Sequence, residues 1–469
     1  VLAIALVLRV AAGVAYRPAL MWDDSWEYVS MAWHAAPLPD FAPDHPSGYP
    51  AILWVLSVFG HHLWLIAVVQ HLAGLAVGLL AYWLLRRLGV GRALATAGAA
   101  VVLLDGYAIA LEQYVLSETF FGLAMVGCAA AAIRARSADT PSAGWWVLSG
   151  GLLAGAATIR SAALFAVPVW IVFLLVSRPG LRRASLSVAA LALPLLAYCA
   201  LHAADGLGFG MTQAGGWLLY GRVGAIVDCP KMHLTAQTAP LCRYPAPPGP
   251  DFGSPGDYIF SPKSPAVILY TDLYTDPPRS NPVLKRFALE AIRANPGGYA
   301  KAVADDFLAY FDPAGGGMVS ADWLPARGQD DGVDADTKAT YLSQYRRQWH
   351  TPYRLIRGYV LRVHTPRWLI GGFLFAACVE LLLALGPRLR RRLPRAAEVG
   401  LLAGMATATL LGAALTAQME VRYLVPVVAL FTCGGLVAFG DLCGLAGRVR
   451  VLGRWQVGGR AARGGAART

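Results

Sequence analysis

A chain of 469 residues in which 57% are hydrophobic and only 14% charged cannot cover a soluble surface of its size, which excludes the water-soluble globular classes. Its net charge of +12 would suit nucleic acid, but the basic residues sit in short stretches between apolar runs: Arg86-Arg87, Arg134 and Arg136, Arg178 to Arg183, Arg388 to Arg395, and Arg448 onward. They fall on every second connection, the positive-inside pattern that orients a membrane protein, and this argues against a nucleic-acid partner.

The chain is apolar from Val1, with no Met and no evident cleavable leader, so the first helix is open to being incomplete. A spanning helix needs roughly 20 apolar residues, fewer where protein shields its ends. On that rule spans are expected near 1–16, 63–85, 93–111, 118–135, 144–159, 162–177, 185–203, 366–386, 397–417 and 422–444. The fold class is therefore an all-α polytopic membrane protein of about ten helices. Four parts follow: an N-terminal membrane region (1–203), a mixed non-cytoplasmic segment (204–365), C-terminal membrane helices (366–445) and a basic, disordered cytoplasmic tail (446–469).

With Arg86-Arg87 inside, the loop from Arg17 to His62, the turn at Arg160, the segment 204–365 and the residues Gln418 to Arg422 all fall on the other face. The chemistry candidates collect there. The first is Trp22-Asp23-Asp24-Ser25-Trp26-Glu27-Tyr28, since adjacent acids at a membrane border are costly unless paired or wet. One of them can serve as a general base; equally, Asp24 or Ser25 can simply cap a helix. Next, His45-Pro46-Ser47-Gly48-Tyr49-Pro50 is a rigid turn leading into an apolar helix, with His45 suited to phosphate, metal or acceptor, or merely to a backbone partner.

Glu112 and Ser117-Glu118 lie at the ends of adjoining spans, where an acid can cap a helix start. Arg160 opposes the positive-inside bias and calls for a carboxylate or phosphate partner. Within 204–365 the stretch from Tyr244 to Pro265 is dense in Pro and Gly and reads as loop. From Asn281 to Phe311 apolar residues recur at helical spacing, as one amphipathic helix or two broken at Asn295 to Gly298. That face is open to two readings, the bilayer surface or the segment's own core. Glu420-Val421-Arg422-Tyr423 opens the last span. The sequence holds no metal-ligand signature and no nucleotide loop.

Taken together these stretches resemble the GT-C superfamily of membrane glycosyltransferases, in its protein-mannosyltransferase and aminoarabinose-transferase branch. Asp24-Ser25-Trp26-Glu27-Tyr28 is similar to the family's first-loop acidic motif, and His45 to Pro50 to the turn that follows it. Leu116-Ser117-Glu118, Thr158-Ile159-Arg160 and Glu420-Val421-Arg422-Tyr423 with Pro426 resemble three further elements. The resemblance implies inverting transfer of a single sugar from a polyprenyl-phosphate donor to an envelope glycan, lipid or protein, on the extracytoplasmic side of the plasma membrane. It implies Asp24 or Asp23 as base, with spacing to Tyr28 favouring Asp24, and Arg160 and Arg422 at the donor phosphate. His45, Tyr49, Tyr28, Glu118, Glu420 and Tyr423 would shape the acceptor site. No cofactor or dedicated metal is expected, with a divalent cation left open. Cys229 and Cys242, in the non-cytoplasmic segment, can form a disulfide or remain free thiols. The rival reading is a transporter or flippase of a lipid-linked sugar.

Overall fold

The computed structural model describes residues 1–33, 40–137, 142–243, 252–312, 348–349 and 352–464. It is almost wholly helical, as expected of a polytopic membrane protein. In chain order come α1 (Leu2–Ala15), α2 (Asp23–Trp33), α3 (Gly48–Ser57), α4 (Leu63–Arg87), α5 (Arg92–Leu103), α6 (Gly106–Gln113), α7 (Glu118–Arg136) and α8 (Ala143–Ile159). A 3-10 turn, Ser161–Ala166, leads into α9 (Val167–Ser177), followed by α10 (Leu181–Ala204). The later bundle helices are Arg367–Ala384, Ala396–Thr416 and Val428–Gly464. The last runs on into the stretch that the sequence reading leaves as a disordered tail.

All ten expected spans have helical counterparts, but they differ in length. Among the described residues six helices are long and apolar enough to cross a membrane, and α5 with α6, bent by 43°, would make a seventh. Leu2–Ala15, Ala143–Ile159 and Ser161–Ser177 are shorter. The bend between α5 and α6 has a local cause. Asp105 turns its carboxylate onto the backbone N–H groups of Tyr107 and Ala108, capping α6, and accepts a third bond from the N–H of Thr365.

With little hydrophobic drive between helices in lipid, packing rests on small residues and buried polar contacts. A Cβ on Gly150 would lie 2.1 Å from the Ser187 carbonyl oxygen, so only glycine lets α8 approach α10 this closely. Beside it the Ser187 hydroxyl donates to the carbonyl of Trp146, and Trp170 Nε1 donates to Ser149 Oγ.

The segment after α10 builds its own core. Its helices are α11 (Gly215–Val223), α12 (Ala239–Arg243), α13 (Pro255–Phe260), α14 (Pro265–Tyr270), α15 (Pro277–Ala294) and α16 (Pro296–Ala309). Leu284, Phe287, Ala288 and Ala291 of α15 pack on Trp217 and Tyr220 of α11. The α15 face that could have met the bilayer is thus spent inside the segment, each large side chain contributing about 1.5–3 kcal/mol. The break falls at Asn295, whose side chain accepts from the Gly298 N–H to start α16. Phe307 and Phe311 instead pack against the bundle core. Cys229 and Cys242 are joined in a disulfide within this segment.

Candidate active site

The site forms where the first loop, the Arg160 turn and the turn before the last helix meet at one end of the bundle. Helix α2 is opened by Trp22 and Ser25: the Trp22 N–H donates to Ser25 Oγ, and the Ser25 N–H to the Trp22 carbonyl. Ser25 therefore does the capping, and Asp24 is free for another partner. That partner is distant in sequence. Arg422 Nη1 donates to Asp24 Oδ2 at 2.7 Å. Asp23, the other candidate base, is the first residue of α2, and its side chain lies outside the described residues.

Arg422 belongs to a 3-10 turn, Val421–Tyr423, and its Nε donates to Glu420 while lying 3.7 Å from Glu118 Oε1. Glu118, buried in the first turn of α7, accepts at 2.7 Å from Arg160 Nη1, which also donates to Ser117 Oγ at 3.0 Å. Arg160 sits in an extended conformation between α8 and the 3-10 turn, the break expected there. Its guanidinium lies 4.8 Å from the Tyr423 ring centre, and that of Arg422 lies 5.5 Å away, so Tyr423 faces both cations. The Arg160 turn is held against the His45–Pro50 turn by Gly48, where any Cβ would stand 2.4 Å from the Thr158 carbonyl oxygen.

Tyr28, one helical turn beyond Asp24, packs edge-on to Tyr49 and beside the His45 ring. Tyr49 donates to Gln70. His45 Nε2 lies 3.9 Å from Asp24 Oδ1, 3.7 Å from Glu27 Oε2 and 3.3 Å from Asp44 Oδ2. The structure thus brings together Asp24, Tyr28, His45, Tyr49, Glu118, Arg160, Glu420, Arg422 and Tyr423. Glu112 is the exception: it pairs inside the bundle with Arg9 and His71 rather than capping a helix at the site.

Three neighbours escaped the sequence reading. Glu27 had a legible signal, because residues three apart share a helix face and it follows Asp24 by that spacing. Asp44 adjoins His45 but carried no spacing cue. Tyr274, from the segment after α10, donates to Asp44 Oδ2 at 3.0 Å, and nothing local marks it.

The carboxyl groups are driven apart. Burial pushes Asp24 upward, but Arg422, then His45 and Arg160, outweigh it and hold its pKa at about 2. For Glu27 burial, Asp44 and Asp24 all act in one direction and lift it to about 9. At neutral pH Asp24 is ionised and Glu27 holds a proton. Such a division is the usual mark of carboxyls with separate tasks.

The helical membrane fold and one family match together support a membrane glycosyltransferase. Residues 48–196 match the family model for dolichyl-phosphate-mannose-protein mannosyltransferase. That stretch contains Tyr49, Glu118 and Arg160, while Asp24 and Arg422 lie outside it. No curated protein and no solved structure matches the chain.

Proposed function

We propose that this protein moves a single sugar from a polyprenyl-phosphate donor to an envelope glycan, lipid or protein, with inversion, on the non-cytoplasmic face of the plasma membrane. The observation that carries this reading is the Asp24–Arg422 contact at 2.7 Å. It joins the first-loop acid to the Glu420–Tyr423 element across most of the chain, beside the Arg160–Glu118 pair.

In the reaction Asp24 takes the proton from an acceptor hydroxyl as that oxygen attacks the anomeric carbon, and polyprenyl phosphate departs. A carboxylate with a pKa of about 2 is ionised at working pH but weakly basic. It therefore accepts the proton late, as the new glycosidic bond forms and the hydroxyl turns acidic. Charge that concentrates on the leaving phosphate is met by Arg160 and Arg422. A unit charge about 4 Å from such a cation gains roughly 4 kcal/mol at an effective dielectric near 20, of which only the excess over the ground state speeds the step. A cavity of about 570 Å³ between α1 and α4, walled by Val10, Gly13, Val14, Val68, Leu72 and Leu75, suits an isoprenoid chain and reaches Arg17 in the loop that carries Asp24.

The test is sugar transfer in liposomes with a panel of polyprenyl-phosphate pentoses and hexoses, following product anomeric configuration. Transfer with inversion from one donor supports the reading. Movement of intact lipid between leaflets without sugar transfer would assign the protein to the flippases instead.

A further inference from the structure

We propose that Gln418 and Asp306 are positioning residues through which the segment after α10 fixes Arg422 against Asp24. Four hydrogen bonds run in line from that segment to the base. The Gly256 N–H of α13 donates to Gln418 Oε1 at 3.1 Å, and Gln418 Nε2 donates to Glu420 Oε1 at 2.8 Å. The other Glu420 oxygen accepts from Arg422 Nε, and Arg422 Nη1 donates to Asp24 Oδ2 at 2.7 Å. Both oxygens of Glu420 are thereby engaged, so its carboxylate aims the guanidinium. With Nε held by Glu420, Nη1 is turned to Asp24.

The backbone of the same turn is gripped from the segment as well. The helix Ala396–Thr416 ends just before it, where the Ala417 N–H donates to the Ala413 carbonyl. Residues 418–420 then join this helix to the 3-10 turn Val421–Tyr423 without regular structure of their own. Asp306 Oδ2 accepts from the Met419 N–H at 3.2 Å, and the Tyr299 hydroxyl donates to the Leu415 carbonyl at 2.7 Å. Tyr299 and Asp306 are seven residues apart, about two turns of α16, and so lie on one face of it. Asp306 is fixed in turn by Arg222 of α11, whose Nη1 donates to the same Oδ2 at 2.7 Å and whose side chain is 3% exposed. Helix α11 belongs to the segment's own core through Trp217 and Tyr220.

The chemistry of residue 418 allows little else. It must accept from an N–H at one end and donate to a carboxylate at the other, which a primary amide does and neither an ionised carboxylate nor an ammonium can. Across the site, Tyr274 of the same segment donates to Asp44 Oδ2. The segment therefore holds both sides: the first-loop turn through Tyr274, and the Arg422 turn through Gln418 and Asp306. An arginine that meets charge on a leaving phosphate works best when it is held in place before that charge appears. The effect on catalysis rests on the transferase reading, whereas the aiming of Arg422 does not.

The experiment is a double-mutant cycle on the full-length chain in nanodiscs, combining Gln418→Met, Gln418→Glu or Asp306→Ala with Arg422→Gln. Gln418→Met keeps the volume and loses both bonds. Gln418→Glu is isosteric, keeps the Gly256 bond and sets a second carboxylate against Glu420. In the wild-type background each Gln418 substitution should lower kcat about 10-fold and change donor KM less than about 2-fold. Affinity for polyprenyl phosphate itself, which carries the charge of the leaving group, should fall about 5-fold. In the Arg422→Gln background the same substitutions should cost less than about 2-fold, since a residue acting through Arg422 has nothing left to position. Asp306→Ala should follow the same pattern, with a lower unfolding midpoint because Arg222 is left buried and unpaired. Equal losses in both backgrounds, or a wild-type rate in both Gln418 variants, overturn the proposal. Coupling seen in polyprenyl phosphate binding without transfer from any donor leaves the positioning intact and removes the transferase reading. Transfer with additive losses does the reverse.

Discussion

Two polar clusters within this molecule use the same residue types and come out differently. In the bundle interior Arg9 Nη2 donates to Glu112 Oε1 at 2.7 Å, and His71 Nδ1 lies 2.8 Å from the other Glu112 oxygen. The second His71 nitrogen meets Gln113 at 2.9 Å, and a further Arg9 nitrogen donates to the Leu103 carbonyl. One carboxylate is shared by one guanidinium and one imidazole, and both its oxygens are used. At the end of the bundle the Asp24 cluster also pairs arginine with carboxylate at 2.7 Å, but acids outnumber cations and several groups are part-exposed. The first arrangement is closed in its pairing and holds helices together, although Arg9 and His71 also border the cavity between α1 and α4; the second has acids in excess and part-exposed groups, and is thus able to receive a ligand.

That contrast can be broken or sharpened by substitution. The largest effect is expected where the closed cluster is cut. Glu112→Ala leaves Arg9 buried and unpaired, so stability should fall by about 3–5 kcal/mol, seen as a lower unfolding midpoint. The turnover of the chains that remain folded should be nearly unchanged. Next comes Arg160→Ala, which removes a cation from the open cluster. Donor affinity and turnover should both drop, by about 10- to 100-fold together, with a smaller fall in the unfolding midpoint than for Glu112→Ala, because the buried Glu118 keeps Arg422 at 3.7 Å.

A smaller, directional effect is expected for Arg422→Gln in a pH series. A base works only when deprotonated, so its contribution is lost as pH falls through its pKa. With Asp24 at about 2, the wild-type rate should show no acid limb from this group above about pH 3. Loss of Arg422 removes the strongest downward influence on Asp24, and the limb should move up by about 1 unit or more. The smallest effect concerns the cavity between α1 and α4. Gly13 lines this cavity and a Cβ there meets nothing within 4 Å, so Gly13→Phe should place its ring in the space. It should raise the KM for a long-chain donor by about 3-fold and leave kcat alone.

Much of this was legible because it is written locally. Arg160-Ser161 ends a helix, Asn295-Pro296 starts one, and long apolar runs space the bundle. The five signatures also appear in order along the chain. What could not be read is pairing at a distance. Nothing in the periodicity says that Asp24 meets Arg422, that Arg9 meets Glu112, or that Tyr274 reaches Asp44. Exposure was equally hidden: the amphipathic pattern from Asn281 to Phe311 fits a bilayer surface and a protein core alike, and only the packing of Phe287 against Tyr220 decides for α15. Spacing from Asp24 could have drawn in Glu27, but its proton depends on burial and on Asp44, which no linear motif records.

The central claim is that Asp24 is the base of a sugar transfer centred on its contact with Arg422. It is tested most directly by comparing wild type with Asp24→Asn in liposomes, measuring release of free polyprenyl phosphate together with donor binding. Release should fall by about 1000-fold or more while donor affinity stays within a few-fold of wild type. Normal release by the Asp24→Asn protein would remove Asp24 from the chemistry and contradict the account.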